Sequence, residues 1–402
     1  MRTLGFAEAF LADFHTKLDG GLVTVAAARL NDVPNVDQLN RALQKMLSRH
    51  LLLRCEIVRD HQGRLCFSER TDWEAPTVIE KAIHPALWFE ELLDTPLQAD
   101  RPPFEFFLTR EGEKPHVFLK VHHAIADGTA LRSLLNEVLE GSCGNGSSEG
   151  EQALTPSVEE MMASTAKNFS AALPPPEGME PWRFHRRVAL PKRRSRVFLR
   201  EIGCALLLTQ AHNRGVKLNS ILMEAVARVS SDLPNFPEKN ALILPVSVRR
   251  RVKPRVPDET MGCYIGNALV YFGCGGDAEA TSDAAVLERQ LSVSLTSAIT
   301  GPPDFAPEVL SQAVGSFLDP ERDSFEYSLG LSNLGPDPQA SSSVDGFWFA
   351  ASVRPGHLGI LITASTVGDR LCLTFHHAEP LVPPSAVERF ADGVVAYLQK
   401  EV

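Results

Sequence analysis

Residues 121–128 read VHHAIADG, which sets His122 and His123 side by side and places Asp127 and Gly128 four and five positions after the second of them. The residues before them, VFLKV, read as a strand. After Gly128, the residues Leu131, Leu134, Leu135, Val138 and Leu139 recur at helical spacing and predict a helix from about Thr129 to Glu140. A rigid strand end holds a side chain firmly while leaving it accessible, which suits chemistry. Neighbouring residues on an extended chain project in different directions, so one of the two histidines can face a given cavity and the pair alone makes no two-ligand metal site. An imidazole is the natural base for taking a proton from a hydroxyl or an amine. Asp127 is placed to anchor the loop, and Gly128 allows a turn that a Cβ would resist. On spacing alone a plainer reading stands beside this one: two satisfied core or loop histidines, with Asp127 as a helix cap.

The same strand and helix rhythm extends outward. VTVAAARL reads as a strand and Val36–Arg49 as a helix, with Asn35 and Gln38 forming a capping box. RCEIV and LCFSE form a hairpin around Gln62-Gly63, HPALWFEELL a short helix, and FEFFLTREGEKPHVFLKV two strands around a turn. Gly141–Gly150 (GSCGNGSSEG) has a linker composition, a helix-like stretch follows, and Pro174-Pro175-Pro176 makes an extended spacer. This divides the chain into 1–170 and 171–402. The second part repeats the rhythm: strand VFLREIG; helix LLLTQAHNRG; helix LNSILMEAVARVSSDL, capped by Asn219 or Ser220; strands ALILPVSV, IGNALVYF, SLGLSNLG, FWFAASV, LGILITAST and RLCLTFHH; and a closing helix after Pro383-Pro384. Alternation in both parts gives a mixed α/β class with two similar lobes.

The chain has 402 residues, 44% hydrophobic and 22% charged, enough to bury a sizeable core without disulfide or metal staples. A net charge of −10 argues against nucleic acid as a partner. Seven scattered cysteines form no CxxC pair and no zinc spacing. There is no signal peptide and no run long enough to span a membrane, so a cytoplasmic protein is expected. No GxSxG elbow, P-loop, HExxH or dinucleotide fingerprint occurs.

VHHAIADG resembles the HHxxxDG motif of the chloramphenicol-acetyltransferase-like acyltransferases, the superfamily of condensation domains, plant acyltransferases, alcohol acetyltransferases and polyketide-associated acyltransferases. Other stretches carry the likeness along the chain. VDQLNRALQKMLSRHLLLRCEIV resembles the segment ending in RHxxLRTxF, with Arg49, His50 and Arg54 in place and Cys55 where Thr is usual. TPLQADRPPFEFFL, KLNSILMEAVARV, LPVSVRRRV and MGCYIGNALV resemble further family segments. SLGLSNLGP is similar to the SNLG segment of alcohol and polyketide-associated acyltransferases, where condensation domains and plant enzymes carry DFGWG.

The resemblance implies two chloramphenicol-acetyltransferase-like lobes in a pseudo-dimeric V, with a central substrate channel and segments of the second lobe crossing to the first. It implies His123 as general base, His122 as architectural, and Asp127 in a structural ion pair for which Arg54 is the matching partner. Ser332 and Asn333 are candidate substrate-binding residues and oxyanion donors, because SNLG faces the channel in the relatives, with an ordinary turn as the plainer reading; Asn267 is also expected to bind substrate. The implied reaction moves an acyl group from acyl-coenzyme A or a carrier-bound phosphopantetheine thioester to a small-molecule or lipid alcohol. No permanently bound cofactor is implied, and a monomer is expected. Amide formation on an amine is the nearest alternative. A catalytically silent binding platform and a thioester hydrolase are further rivals.

Arg183–Arg200 holds eight basic residues and no acidic one. Arg193 and Arg194 there are candidates to dock a carrier protein or coenzyme A phosphates, although a solvated linker and strand edge is the favoured reading; Arg249 is a further candidate, with a basic turn after a strand reading equally well. His376-His377 lacks a following Asp-Gly and reads as a strand end.

Overall fold

The computed structural model describes residues 1–144, 150–163, 175–273, 281–295 and 305–400. The first part runs β1 (Arg2–Thr3), α1 (Phe6–Lys17), β2 (Val23–Leu30), α2 (Val36–Arg49), β3 (Cys55–Arg59), β4 (Leu65–Glu69), β5 (Ile79–Glu80), α3 (Pro85–Asp94), β6 (Phe104–Thr109), β7 (His116–His122), α4 (Gly128–Ser142) and α5 (Val158–Ala163). The second runs β8 (Arg194–Gly203), α6 (Ala205–Asn213), α7 (Leu218–Val229), β9 (Lys239–Ser247), β10 (Ile265–Gly273), α8 (Ala284–Ser294), α9 (Pro307–Phe317), β11 (Tyr327–Pro336), β12 (Val344–Ala351), β13 (Leu358–Val367), β14 (Arg370–Glu379) and α10 (Pro384–Gln399). The expected boundary at 170/171 lies outside the described residues.

The strands form three sheets, ordered β1-β4-β3, β12-β2-β7-β6-β5 and β10-β9-β11-β13-β14-β8. β2 shows why its sequence is rich in alanine. Ala26 and Ala28 join the core under α2 and α4, while Val23, Val25 and Ala27 join a second cluster with Trp88 and Phe89 of α3. A strand buried on both faces needs small residues where helices lie on it.

The expected crossover is present. β12 leaves the second half and pairs antiparallel with β2, Trp348 opposite Ala27. It also packs against β13, whose Ser365 hydroxyl donates to the Phe347 carbonyl at 2.5 Å. The two large sheets therefore meet at β12 and β13.

Of the capping box predicted for α2 the Asn35 half is present, its side chain accepting from the Gln38 N–H at 3.0 Å. For α7, Lys217 is the N-cap with no side-chain bond, because the Ser220 hydroxyl is engaged by Glu288 at 2.9 Å. α1, α8 and α9 have no counterpart in the sequence reading. In α1 the buried face includes Glu8 and Asp13, paired with Arg2 and with Lys17 and Arg59, so buried carboxylates interrupt its apolar stripe. Among the described residues no helix is long and apolar enough to cross a membrane.

Candidate active site

β7 ends at His122, whose N–H donates to the Pro103 carbonyl at 2.9 Å, and a tight turn then delivers Asp127 as the N-cap of α4. Asp127 accepts from the Ala130 N–H at 2.9 Å, so the helix-cap reading is correct. The same carboxylate also takes two bonds from Arg249 Nη2, both 3.0 Å, and one from the Tyr264 N–H at 2.9 Å. The Asp127 N–H donates to the Gly262 carbonyl at 3.2 Å. Residues 249–264 of the second half thus fold directly onto the turn. A Cβ on Gly262 would sit 2.6 Å from the Tyr264 ring, at φ +138°, so this approach requires glycine.

The expected Arg54 partner is therefore replaced by Arg249. Arg54 bonds the Leu47 and Ser48 carbonyls at the C-terminal end of α2, at 2.8 and 2.6 Å, and pairs with Glu69 and Glu151. Open helix carbonyls attract a guanidinium, and this one is spent there. Arg249 cannot dock phosphates, because its side chain is 0% exposed. Gly128 also plays a different part from the expected one. Its φ is not left-handed, but a Cβ would meet Leu334 at 3.0 Å and Phe349 at 3.3 Å, so glycine lets the second half press against the start of α4.

The two histidines have different surroundings. His122 Nδ1 accepts the Ala124 N–H at 3.0 Å, and its ring lies 3.9 Å from that of His15 on α1. Burial, then the neighbouring His15 and His123, push its pKa well down. It lines a cavity of about 530 Å³ with His15, Trp73 and Arg101. His123 is partly accessible. Its Nδ1 donates to the Ala126 carbonyl at 3.3 Å. A carbonyl only accepts, so the proton resides on Nδ1 and Nε2 keeps its lone pair. Burial lowers the His123 pKa, which keeps the imidazole in the basic form at neutral pH.

Asn333 is engaged within the protein: its amide donates to Asn219 at 3.3 Å, and its oxygen accepts the Gly335 N–H at 2.8 Å. Arg132 of α4 grips the carbonyls of residues 334–336. This makes Asn333 a turn-former. Ser332 lies one position before it on β11, opposite Thr363. Asn267 lies exposed on β10, the outermost strand of its sheet, opposite Pro245. Neither is hydrogen-bonded to the turn.

Arg193 is buried, at 8% exposure, and bonds the Val188, Arg354 and Pro355 carbonyls at 3.1, 3.1 and 2.5 Å. It holds a loop and does not form a docking surface. Burial without a carboxylate partner lowers its pKa to about 10. Arg194 is exposed, its guanidinium on the Pro191 carbonyl at 3.0 Å. Of its neighbours, Arg183, Arg187, Arg196 and Arg200 pair with Asp323, Glu321, Glu90 and Asp392. Much of the basic stretch is thus neutralised internally. His376 and His377 lie on β14, both fully buried.

No protein-family model matches the chain. A segment of 128 residues, 30% of the chain, is 27% identical to nonribosomal peptide synthetase 5 of Gibberella zeae and spans 1% of that protein's length. Solved structures match over nearly the whole chain. The trichothecene 15-O-acetyltransferase of Fusarium sporotrichioides superposes at a TM-score of 0.70 with 12% identity, over 99% of this chain and 95% of its own. Polyketide synthase associated protein 5 of Mycobacterium tuberculosis gives 0.68 with 15% identity, over 100% and 98%. The condensation domain of the monacolin K polyketide synthase gives 0.67 with 10% identity, over 99% and 96%. Epimerization and cyclization domains of peptide synthetases have the same fold. The expected fold class is correct: the chain has the two-lobed fold of condensation domains and chloramphenicol-acetyltransferase-like acyltransferases.

Proposed function

We propose that this chain, built on that fold, is an acyltransferase that moves an acyl group from a thioester to a hydroxyl, with His123 as general base. The supporting observation is the state of the His123 ring: neutral, with Nδ1–H on Ala126 and a lone pair on Nε2. It lies in a turn gripped by both halves of the chain. The acceptor O–H loses its proton to Nε2 as its oxygen attacks the thioester carbonyl. The C–S bond then breaks and the thiolate takes the proton back. General-base catalysis contributes about 10²–10⁴-fold, and positioning of the two substrates supplies the rest.

The donor is acyl-coenzyme A or a carrier-bound phosphopantetheine thioester. The SNLG segment and the likeness to a 15-O-acetyltransferase favour an alcohol acceptor. The match to a peptide synthetase segment favours an amine, the second reading.

Thiol release from acetyl- and octanoyl-coenzyme A, with and without 1-octanol, 2-phenylethanol and octylamine, tests the proposal. Acceptor-stimulated release should fall by about 10²–10⁴-fold in His123→Ala. Release equal in wild type and variant would refute it. A base with a depressed pKa stays unprotonated to lower pH, so kcat/KM should still be undiminished at pH 6.5, where an ordinary histidine would be half protonated, and fall only at lower pH. A separate measurement tests carrier docking: Arg194→Glu should raise the KM of a carrier-bound donor severalfold at low salt and leave that of the coenzyme A donor unchanged.

A further inference from the structure

Arg193 is a buried cation with nothing to neutralise it. Its Nε is spent on the Val188 carbonyl and its Nη1 on the carbonyls of Arg354 and Pro355. The Phe184 ring covers one face of the guanidinium, 5.7 Å away. Among the described residues no carboxylate pairs with it, and burial alone perturbs it. A charge held out of water without a partner is costly, and groups in that condition cluster where a ligand supplies the partner. Nη2 is the part of the side chain left over. Among the described residues it bonds nothing, and it is not sealed from solvent.

Arg193 forms part of the wall of a cavity of about 430 Å³, within the range of roughly 300–1,000 Å³ usual for small-molecule sites. Most of the remaining wall is apolar, with Val188, Leu190, Phe317, Leu318 and Pro355 lining it. Phe317 is held from behind. Its ring is edge-on to His357 at 6.0 Å and lies 6.2 Å from Phe14 of α1. The lining shares no residue with the cavity that His122 lines.

The charges around the cavity decide which anion it suits. Arg187, the other cation in the lining, is engaged by Glu321 at 2.9 Å and by the Pro320 carbonyl at 3.1 Å. Asp319 and Glu321 stand exposed in the same lining, and their charges repel a dianion such as phosphate. One free amino group suits one negative charge, through a charge-assisted hydrogen bond. A hydrocarbon body attached to that charge would leave water against the apolar wall.

We propose that this cavity binds the carboxylate of a small apolar acid of the medium-chain fatty acid class, with the headgroup on Arg193 Nη2 and the chain against Phe317 and Leu318. The site is additional to the His123 turn and does not depend on the acyl-transfer reading.

Calorimetric titration of the full chain with sodium octanoate, 1-octanol and sodium phosphate tests this. Octanoate should bind once per chain at submillimolar concentration. Octanol, which has the same body without the charge, should bind at least about tenfold more weakly, the worth of one hydrogen bond to a charged group, and phosphate should not bind. Ala189 is exposed and lines the cavity, so Ala189→Trp should fill the space, leave every Arg193 bond in place, and weaken octanoate at least tenfold while melting within a few degrees of wild type. Arg193→Gln should weaken it as much by removing the charge, and Ala189→Trp carries the test if that variant does not fold. Saturating octanoate should raise the melting temperature of wild type and not that of Ala189→Trp. No octanoate binding by wild type at millimolar concentration would overturn the proposal. So would equal affinity in wild type and Ala189→Trp, which would place the acid elsewhere. Octanol bound as tightly as octanoate would remove Arg193 from the site, and phosphate bound as tightly would overturn the carboxylate class.

Discussion

Between pH 8 and pH 5 the protein should lose more than about 5 kcal/mol of unfolding free energy, a large share of the roughly 5–15 kcal/mol that holds a folded protein together. The cause is a set of buried neutral histidines. His376 and His377 on β14 are 0% exposed, and burial brings each pKa to about 3, while His357 is at about 4. The unfolded chain titrates near 6.5. Below that value the unfolded state binds protons that the folded state refuses. Stability is therefore complete above pH 6.5 and falls as the pH drops toward 4. At pH 5 each such histidine has lost about 2 kcal/mol. His15, His116, His122 and His123 shift the same way. Glu159 opposes them: burial raises its carboxyl to about 7, so its protonation returns about 2 kcal/mol over the same range.

Urea unfolding at pH 8, 6.5, 5.5 and 5 measures the effect. His377→Phe should flatten the curve by about one histidine's share, because His377 lies flat on Phe198, 5.9 Å away, with both ring nitrogens unpartnered. Stability unchanged down to pH 5 would refute this account.

The second large effect belongs to Asp127 and Arg249. Removing either should cost about 3–5 kcal/mol, because each leaves the other charged and unpaired in a site where the side chains are 1% and 0% exposed. Arg249 also bonds the Pro257 and Thr260 carbonyls at 3.1 and 2.8 Å and stacks on Tyr264 at 4.6 Å. Its loss therefore loosens the segment that covers the turn. Asp127→Ala should accordingly lose stability and activity together. The double variant Asp127→Ala with Arg249→Met should be less damaged than the sum of the singles by about 1–3 kcal/mol. Strictly additive losses, or an Asp127→Ala protein that melts normally and does not turn over, would contradict this arrangement.

Particular residues show what was legible in advance. The His122–Gly128 turn stood out because a strand period, a helix period and a cap meet within eight letters, and each of these is a local signal. Arg249 was visible as a basic residue after a strand, yet nothing local marks it as the partner of a carboxylate 122 positions away. Arg54 was the nearer candidate from family likeness, and the open carbonyls of α2 claim it. His357 was passed over because a single histidine in an apolar stretch has no periodicity to give it away. A note of the lone histidines that border aromatic or apolar strands would have flagged it.

The sequence by itself determined the mixed α/β class, most of the strands and helices, the Asn35 cap and the chemical character of the turn. These depend on periodicity and on side chains within a few residues of each other. Tertiary structure alone decided which strand makes the crossover, that Arg249 closes on Asp127, that Arg193 is buried in a loop, and that His357 packs on Phe14 of α1. Each of these contacts spans many tens of residues. Their partners are chosen by which buried charge or open carbonyl is left to satisfy once the sheets have formed, and that choice leaves no mark on the neighbouring sequence.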